Sequence, residues 1–466
     1  MKGTITRIDE LFNPRSVAIV GLPRGLKVGK LFLMALLDQG FNGPIYPVNP
    51  KTDDIDGLKS YPDIKSIPGP VDLAIILVPH AYTLPVIKEC GEKGVKGAVL
   101  FTAGYKETGT AEGKALEDEL VKTAAAFGMR LIGPNGMGLY CPKTGLSFFP
   151  RLSKKAGPVG IISHSGSLTN ILGYIAPQKG IGFSKVVSLG NECDLTCADF
   201  LLYLKDDVDT KVIATYTEGI KDGGLFLDAL KKTSAEKPVI LWKVGLTPEG
   251  STAAASHTGA LAGSADIWKG MVRQGGGIPV AGFEEWLDSI MAFSMLPQRL
   301  GKRMAVISGP GGLAVSAAEA CGSEGLQMAD LSDDSASGLA QIVPETGTSL
   351  KNPIDIGLTA SFDISIYIES ARIASEDPGV DAVVLIGIGL DEASNTTYTD
   401  SIIGLQKASG KPFMMINIPG FDPELSKRFC EAGIPFFDSA ERAMKSYSRV
   451  YQYQNRSNNH GGTNEH

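Results

Sequence analysis

The sequence predicts an α/β protein built from three parallel-sheet units in series, and three observations predict it. Short apolar runs alternate with longer amphipathic segments almost throughout, the pattern of strands joined by crossover helices. The chain has 466 residues, enough for about three domains of ~150 residues. It carries 56 glycines, roughly 12% against a usual ~7%, and they recur where an apolar run opens into an amphipathic one, as tight βα turns require.

The first unit, residues 1–150, holds SVAIVG (16–21), IYPVN (45–49), LAIILVP (73–79), GAVLFTAG (97–104) and MRLIGPNG (129–136). Each ends in Gly, Pro or Asn, residues that turn a strand into a loop. The second unit, 151–298, opens after the "SKKAGP" turn with VGIISHSG (159–166), KVVSLGN (185–191), VIATYTEG (212–219) and PVILWKVG (238–245). The third, 299–452, contains RMAVISGPGG (303–312), AVVLIGIG (382–389) and PFMMINIPG (412–420). Residues 453–466 end in NRSNNHGGTNEH, and their polarity predicts a disordered tail.

Composition narrows the partners. A hydrophobic fraction of 43% with 20% charged residues is that of a soluble globular protein. The net charge of -7, with no block of basic residues, argues against nucleic acid and anionic membranes. The segment MKGTITRIDELFNP lacks the apolar stretch of a signal peptide, and no apolar run reaches the ~18 residues of a membrane span, so a cytoplasmic protein is expected. Six scattered cysteines form no framework and read as reduced, buried thiols. Cys193 and Cys197 lack the further ligands a zinc site needs, and no metal site is expected.

In open α/β sheets, ligands bind beyond the carboxyl ends of the strands, which directs attention to the loops there. "GLPRGLKVGK" (21–30) spaces its glycines as GxxxGxxxG, neither GxGxxG nor Walker A. It still offers backbone N–H groups, a helix start and the cations Arg24, Lys27 and Lys30 to an anion, although an ordinary turn with solvated charges would look the same. "SHSGS" (163–167) stands between a strand and a helix, where free N–H groups form an anion nest. It lacks the GxSxG elbow of a serine hydrolase, and His164 beside Ser165 is not spaced as a catalytic pair. Glu218, in "YTEGI", closes an otherwise apolar strand and is either a solvated loop residue or the partner of a histidine. His257 lies in "STAAASHTGALAGSAD" (251–266), a stretch of small residues without bulk to pack it. It is either a surface residue or a catalytic group that must stay accessible.

Taken in order, "GLPRGLKVGK", "VNPK", "VPHAY", "FTAGYKE", "GPNGMGL", "VGIISHSGSL", "TEGI" and "SHTGAL" resemble the α subunit of the NDP-forming acyl-CoA synthetases, the superfamily of succinyl-CoA synthetase. The resemblance covers roughly residues 8–290. "SGPGG" (308–312) and "NPIDIG" (352–357) are similar to the extra domain of the ADP-forming acetyl-CoA synthetase branch. The resemblance implies three Rossmann-like or flavodoxin-like domains and an acid–thiol ligase acting through a phosphohistidine. It implies His257 as the phosphorylated residue, Glu218 as its stabilising carboxylate, and Ser165, Gly166 and Ser167 as the helix start that holds the phosphate. It implies CoA contacts by Gly21, Leu22, Pro23, Arg24, Lys27, Val28, Gly29 and Lys51, with Val78, Pro79, Ala103, Gly104 and Asn135 toward the thiol end. No stretch resembles an ATP-grasp domain, so ADP/ATP with Mg²⁺ is expected on a separate β subunit in an α2β2 assembly. The substrates would be a small carboxylic acid or its CoA thioester, and phosphate. The rival implied by the same fold is a non-catalytic CoA-binding regulatory or scaffold protein. A nicotinamide dehydrogenase is disfavoured by the missing GxGxxG.

Overall fold

The computed structural model describes residues 2–258, 264–387 and 389–461. Contacts divide the chain into two compact units, Met1–Pro177 with Gly182–Gly282, and Gln178–Ile181 with Phe283–His466.

The first unit contains two sheets. Strands β1 (Val17–Val20), β2 (Ile45–Val48), the small hairpin β3 (Asp54–Ile55) and β4 (Leu58–Lys59), β5 (Leu73–Ile76), β6 (Gly97–Leu100) and β7 (Arg130–Ile132) follow in the chain. Without the hairpin they form a parallel sheet in the order β2-β1-β5-β6-β7. β1, β5 and β6 are buried at every residue, which is why their sequences are continuous apolar runs and not alternating ones. Helices Lys30–Gln39, His80–Lys93 and Ala111–Ala126 connect them, the first two ending at Gly40 and Gly94 in the left-handed conformation.

The second sheet takes β8 (Gly138–Tyr140), β9 (Ala156–Ser163), β10 (Phe183–Ser188), β11 (Val212–Thr217), β12 (Val239–Lys243) and β13 (Ile278–Val280). Its order is β13-β12-β11-β9-β10-β8, parallel except for β8, which lies antiparallel on β10. The second unit carries β14 (Arg303–Ser308), β15 (Gln327–Met328), β16 (Ile354–Asp355), β17 (Ala382–Ile386), β18 (Phe413–Ile416) and β19 (Phe436–Phe437), ordered β15-β14-β17-β18-β19. β16 shares the β15 edge by pairing with the far end of β14, Ile307 beside Ile354.

Leaving β8 and β16 aside, the first strand of each sheet lies between the second and the third. The strand order therefore reverses beside it, opening a crevice at β1/β5, β9/β11 and β14/β17. The first two crevices carry the loops singled out above. At the third, Tyr367 is buried, and its hydroxyl would stand about 2.1 Å from a Cβ at Gly309 and 1.7 Å from one at Gly387. That crevice is filled by a side chain of the protein itself.

In the second unit, helix Phe283–Met295 packs on helix Ala440–Gly461. Asp288, buried, receives two hydrogen bonds from Arg442 at 2.6 and 2.9 Å, and Arg442 also reaches Glu284. The long helix runs on into the stretch expected to be a disordered tail, because Tyr453 packs edge-on against Phe293 and Gln454 bonds the backbone of Pro297 and Leu300. Residues 462–466 lie outside the described residues.

All six cysteines are free, and all but Cys193 are buried. Burial pushes the Cys90 thiol up to about 12 and those of Cys321 and Cys430 to about 11. It raises Cys197 too, and Cys193 although that residue keeps some surface. Among the described residues, no helix is long and apolar enough to cross a membrane.

Candidate active site

The β1/β5 crevice is lined by the loops leaving those two strands. Gly21 has φ +85°, and a Cβ there would meet Val78 at 2.7 Å, so glycine permits both the turn and the close approach of the second loop. Leu22 is buried and anchors the loop, while Arg24, Lys27 and Val28 project into solvent and Pro23 and Gly29 are half-buried. Asn49 donates to the Leu22 carbonyl at 2.9 Å and accepts the Lys51 N–H at 2.9 Å, which ties the exposed Lys51 to the same crevice. Lys30, expected as an anion donor, is buried and paired with Asp56 at 2.7 Å. Its charge is spent on the hairpin.

Further along the sheet edge, the chain around Gly104 is held by carboxylates. Glu107 accepts the Gly104 N–H at 2.5 Å and the Tyr105 N–H at 3.2 Å. Burial alone would raise its pKa, but the hydrogen bonds from Asn191 and these N–H groups outweigh burial and hold it below the ordinary carboxylate value. The Asn191 amide divides its two N–H groups between Glu107 and the buried Glu117. Gly104 has φ +113°, and a Cβ there would stand 2.8 Å from His80 Nδ1. Asn135, also at positive φ, donates its N–H to Thr102, while Thr102 donates its hydroxyl to Val78 at 2.6 Å. A cleft of about 520 Å³ results, with Pro79, Ala103 and Asn135 on one side and His164, Ser165, Gly166 and Ser167 on the other.

The last four belong to the β9/β11 crevice of the second sheet. Ser163 and Ser165 exchange hydrogen bonds, and Ser165 Oγ accepts the Leu168 N–H at 3.3 Å, capping helix Gly166–Gln178. The first N–H groups of a helix have no partner within it, so Gly166 and Ser167 present donors to an anion. Across the crevice, Glu218 is 5% exposed at the end of β11. Its N–H donates to His164 Nδ1 at 3.1 Å, and its carbonyl accepts from the buried Lys243 Nζ at 2.8 Å. Burial lowers the Lys243 ammonium from its ordinary value, against the pull of Glu218. A second cleft, about 610 Å³, is lined by Ser165, Tyr216, Glu218 and Val244 with Gly250, Ala253 and Ala254. Ser165 lines both clefts.

Those last three residues lie on helix Pro248–Thr258, which contains His257. The stretch of small residues is therefore helical up to Thr258, as its alanines favour. The His257 side chain and residues 259–263 lie outside the described residues.

Comparison with known proteins decides the family. The CoA binding domain family matches residues 15–142, and the succinyl-CoA ligase like flavodoxin domain family matches 156–293. The subunit alpha of acetate–CoA ligase [ADP-forming] II from Pyrococcus furiosus is 38% identical over 455 residues, 96% of this chain and 98% of that one. The chain belongs to the ADP-forming acetate–CoA ligase α-subunit family. The isoform I α subunit of the same organism is 36% identical over 96% of this chain and 97% of its own. A solved acetyl-coenzyme A synthetase 1 of Ca. Korarchaeum cryptofilum, in complex with phosphate and ADP, superposes with a TM-score of 0.86 at 33% identity, covering 98% of this chain and 99% of that one. The α-subunit family is one of acid–thiol ligases, and its CoA-binding and flavodoxin-like domains carry the first and second sheets here.

Of the described residues that line the two clefts, the sequence singles out Pro79, Ala103, Asn135, Ser165, Gly166, Ser167 and Glu218. The sequence places the acid pocket near "GPNGMGL" (133–139) and "SLGNECD" (188–194), but it gives no individual role to Asn49, Glu107, Asn191, Glu192 or Lys243. Each bonds a residue distant in the chain, so local pattern carries no trace of it; only the placing of Lys243 at a strand end pointed that way.

Proposed function

We propose that this chain is the α subunit of an ADP-forming acyl-CoA synthetase working through a phosphohistidine at His257 in the cytoplasm. The observation that carries the reading is Ser165 at the head of one helix, shared by the cleft of the Gly104 loop and the cleft of Glu218 and the His257 helix. Residues 1–150 bind CoA: Gly21–Gly29 and Lys51 take the nucleotide and phosphates, Val78 and Pro79 the pantetheine, Ala103, Gly104 and Asn135 the thiol end. Residues 151–298 carry the phosphorylated segment, and 299–452 form the added domain.

A phosphate oxygen attacks the thioester carbonyl, the C–S bond breaks, and CoA leaves with an acyl phosphate remaining. An imidazole nitrogen of His257 then attacks phosphorus; the acyl O–P bond breaks and the carboxylate departs. ADP takes the phosphoryl group from nitrogen, giving ATP and restoring the imidazole. N–H groups at Gly166 and Ser167, with the helix dipole behind them, stabilise the phosphoryl oxygens through both transfers, and Glu218 braces the imidazole. ADP and Mg²⁺ sit on a separate ATP-grasp β subunit in an α2β2 complex. One feature supports a partner: the two Pyrococcus furiosus relatives carry the name "subunit alpha".

Intact mass of the α–β complex tests the reading, after ATP–Mg²⁺ and separately after acetyl-CoA with phosphate. The expected result is an acid-labile, base-stable gain of one phosphate on the wild-type α chain and none on His257→Asn. No gain in either reaction, with CoA still bound, would replace the reading with that of a CoA-binding scaffold.

A further inference from the structure

Among the described residues lining the two clefts, His164 is the one buried titratable side chain to which the reaction above gives no task. It is 7% exposed and lies in the wall of the cleft beneath the Gly104 loop. Its main-chain N–H donates to the Tyr216 carbonyl at 3.1 Å, so the backbone is fixed to β11 before the side chain acts. Nδ1 accepts the Glu218 N–H at 3.1 Å. A nitrogen that accepts an N–H carries no proton, so in the neutral ring the proton is on Nε2. Nε2 stands 3.2 Å from Glu192 Oε1, without the alignment of a full hydrogen bond.

Glu192 is itself built in. It is buried, sits at φ +53°, and its carboxylate accepts the Cys197 N–H at 2.6 Å while its carbonyl accepts from Lys221. On the far side of Glu218, Lys243 reaches from β12 to the Glu218 carbonyl. The peptide of Glu218 is thus gripped at its N–H by an imidazole and at its carbonyl by an ammonium, both buried. A solvated loop carboxylate needs neither. The two grips fix the direction in which residue 218 leaves the strand.

We propose that His164 is a positioning residue for phosphoryl transfer, holding the Glu218 turn in place by accepting its N–H at Nδ1. The inference rests on the reading that Glu218 braces the phosphorylated His257. No bond to His164 forms or breaks in the reaction.

The test uses the α–β complex and two substitutions that divide the ring between them. His164→Asn puts an amide oxygen where Nδ1 stands and keeps the acceptor. His164→Gln puts its amide where Nε2 stands, keeping a donor toward Glu192 and losing the acceptor. Single-turnover phosphorylation of the α chain by ATP–Mg²⁺, kcat, KM for CoA, and CoA binding by calorimetry are measured on each. His164→Asn is expected within about 3-fold of wild type, and His164→Gln about 10–100-fold slower in phosphorylation and kcat, as for a buried N–H left without its acceptor. CoA binding and KM would stay within about 2-fold in both, the mark of an interaction needed in the transition state only. Equal rates for the two variants, whether both normal or both slow, would overturn the positioning role. Absence of a wild-type phosphoenzyme would overturn the phosphohistidine reading and the inference with it.

Discussion

Asn191 spans 84 residues of sequence to reach Glu107 and 74 to reach Glu117, and its amide serves both carboxylates at once. Replacing it by leucine keeps the branched shape and removes both donors, taking one hydrogen bond from the half-buried Glu107 and one from the buried Glu117. We expect Asn191→Leu to weaken CoA binding about 5–30-fold by calorimetry, the effect of unsatisfying groups worth ~1–2 kcal/mol. Phosphorylation by ATP–Mg²⁺, which does not need the Gly104 loop, should keep its wild-type rate. Residues of this kind mark the limit of reading from sequence. Gly21, Ser165 and Glu218 were legible because a strand end followed by Gly, Ser or a lone carboxylate is a local pattern. Asn191 in "SLGNE" and Lys243 in "LWKVG" look like any polar residue after a strand, since what they bond is decided by the sheets coming together.

Elements divide the same way. Strands buried on both faces, such as β1, β5 and β17, announce themselves as unbroken apolar runs. The two-residue strands β15, β16 and β19 do not, because a pair of ladder hydrogen bonds defines them and no pattern fits in so short a span. The helix around His257 is hidden in the sequence because its small residues give no amphipathic period, whereas helix propensity does not depend on one. In the second unit, Arg442 ties helices 283–295 and 440–461 together beside Lys445 and Arg449, which reach Glu285. Arg442→Met strips a buried carboxylate of its cation and should cost about 2–4 kcal/mol in urea unfolding, below the full value for an enclosed pair because the arginine is 27% exposed. Adding Asp288→Leu should restore most of the loss, since the charge needing a partner is then gone.

Across the whole chain one strand order occurs three times, yet the crevices it creates are used differently. The cleft beyond β5 and β6 and the cleft at β9/β11 share Ser165, whereas the β14/β17 crevice is closed by Tyr367. On the reading proposed here, the α chain holds everything for cleaving the thioester and forming the phosphoenzyme, and the partner supplies only the nucleotide site. The purified α chain should therefore bind CoA and raise its own melting temperature, with about 2.7 kcal/mol of stabilisation at CoA 100-fold above Kd. It should make no ATP until the β subunit is added, which a coupled assay would detect, and native mass spectrometry should then show two copies of each. The cysteines acquire a meaning in this setting. An enzyme that makes a mixed anhydride of a carboxylic and a phosphoric acid exposes its own nucleophiles to self-acylation. With Cys90, Cys193, Cys197, Cys321 and Cys430 held as protonated thiols by desolvation, those five sulfurs are poor competitors. The thiol of CoA then meets no rival among them for the activated acyl group.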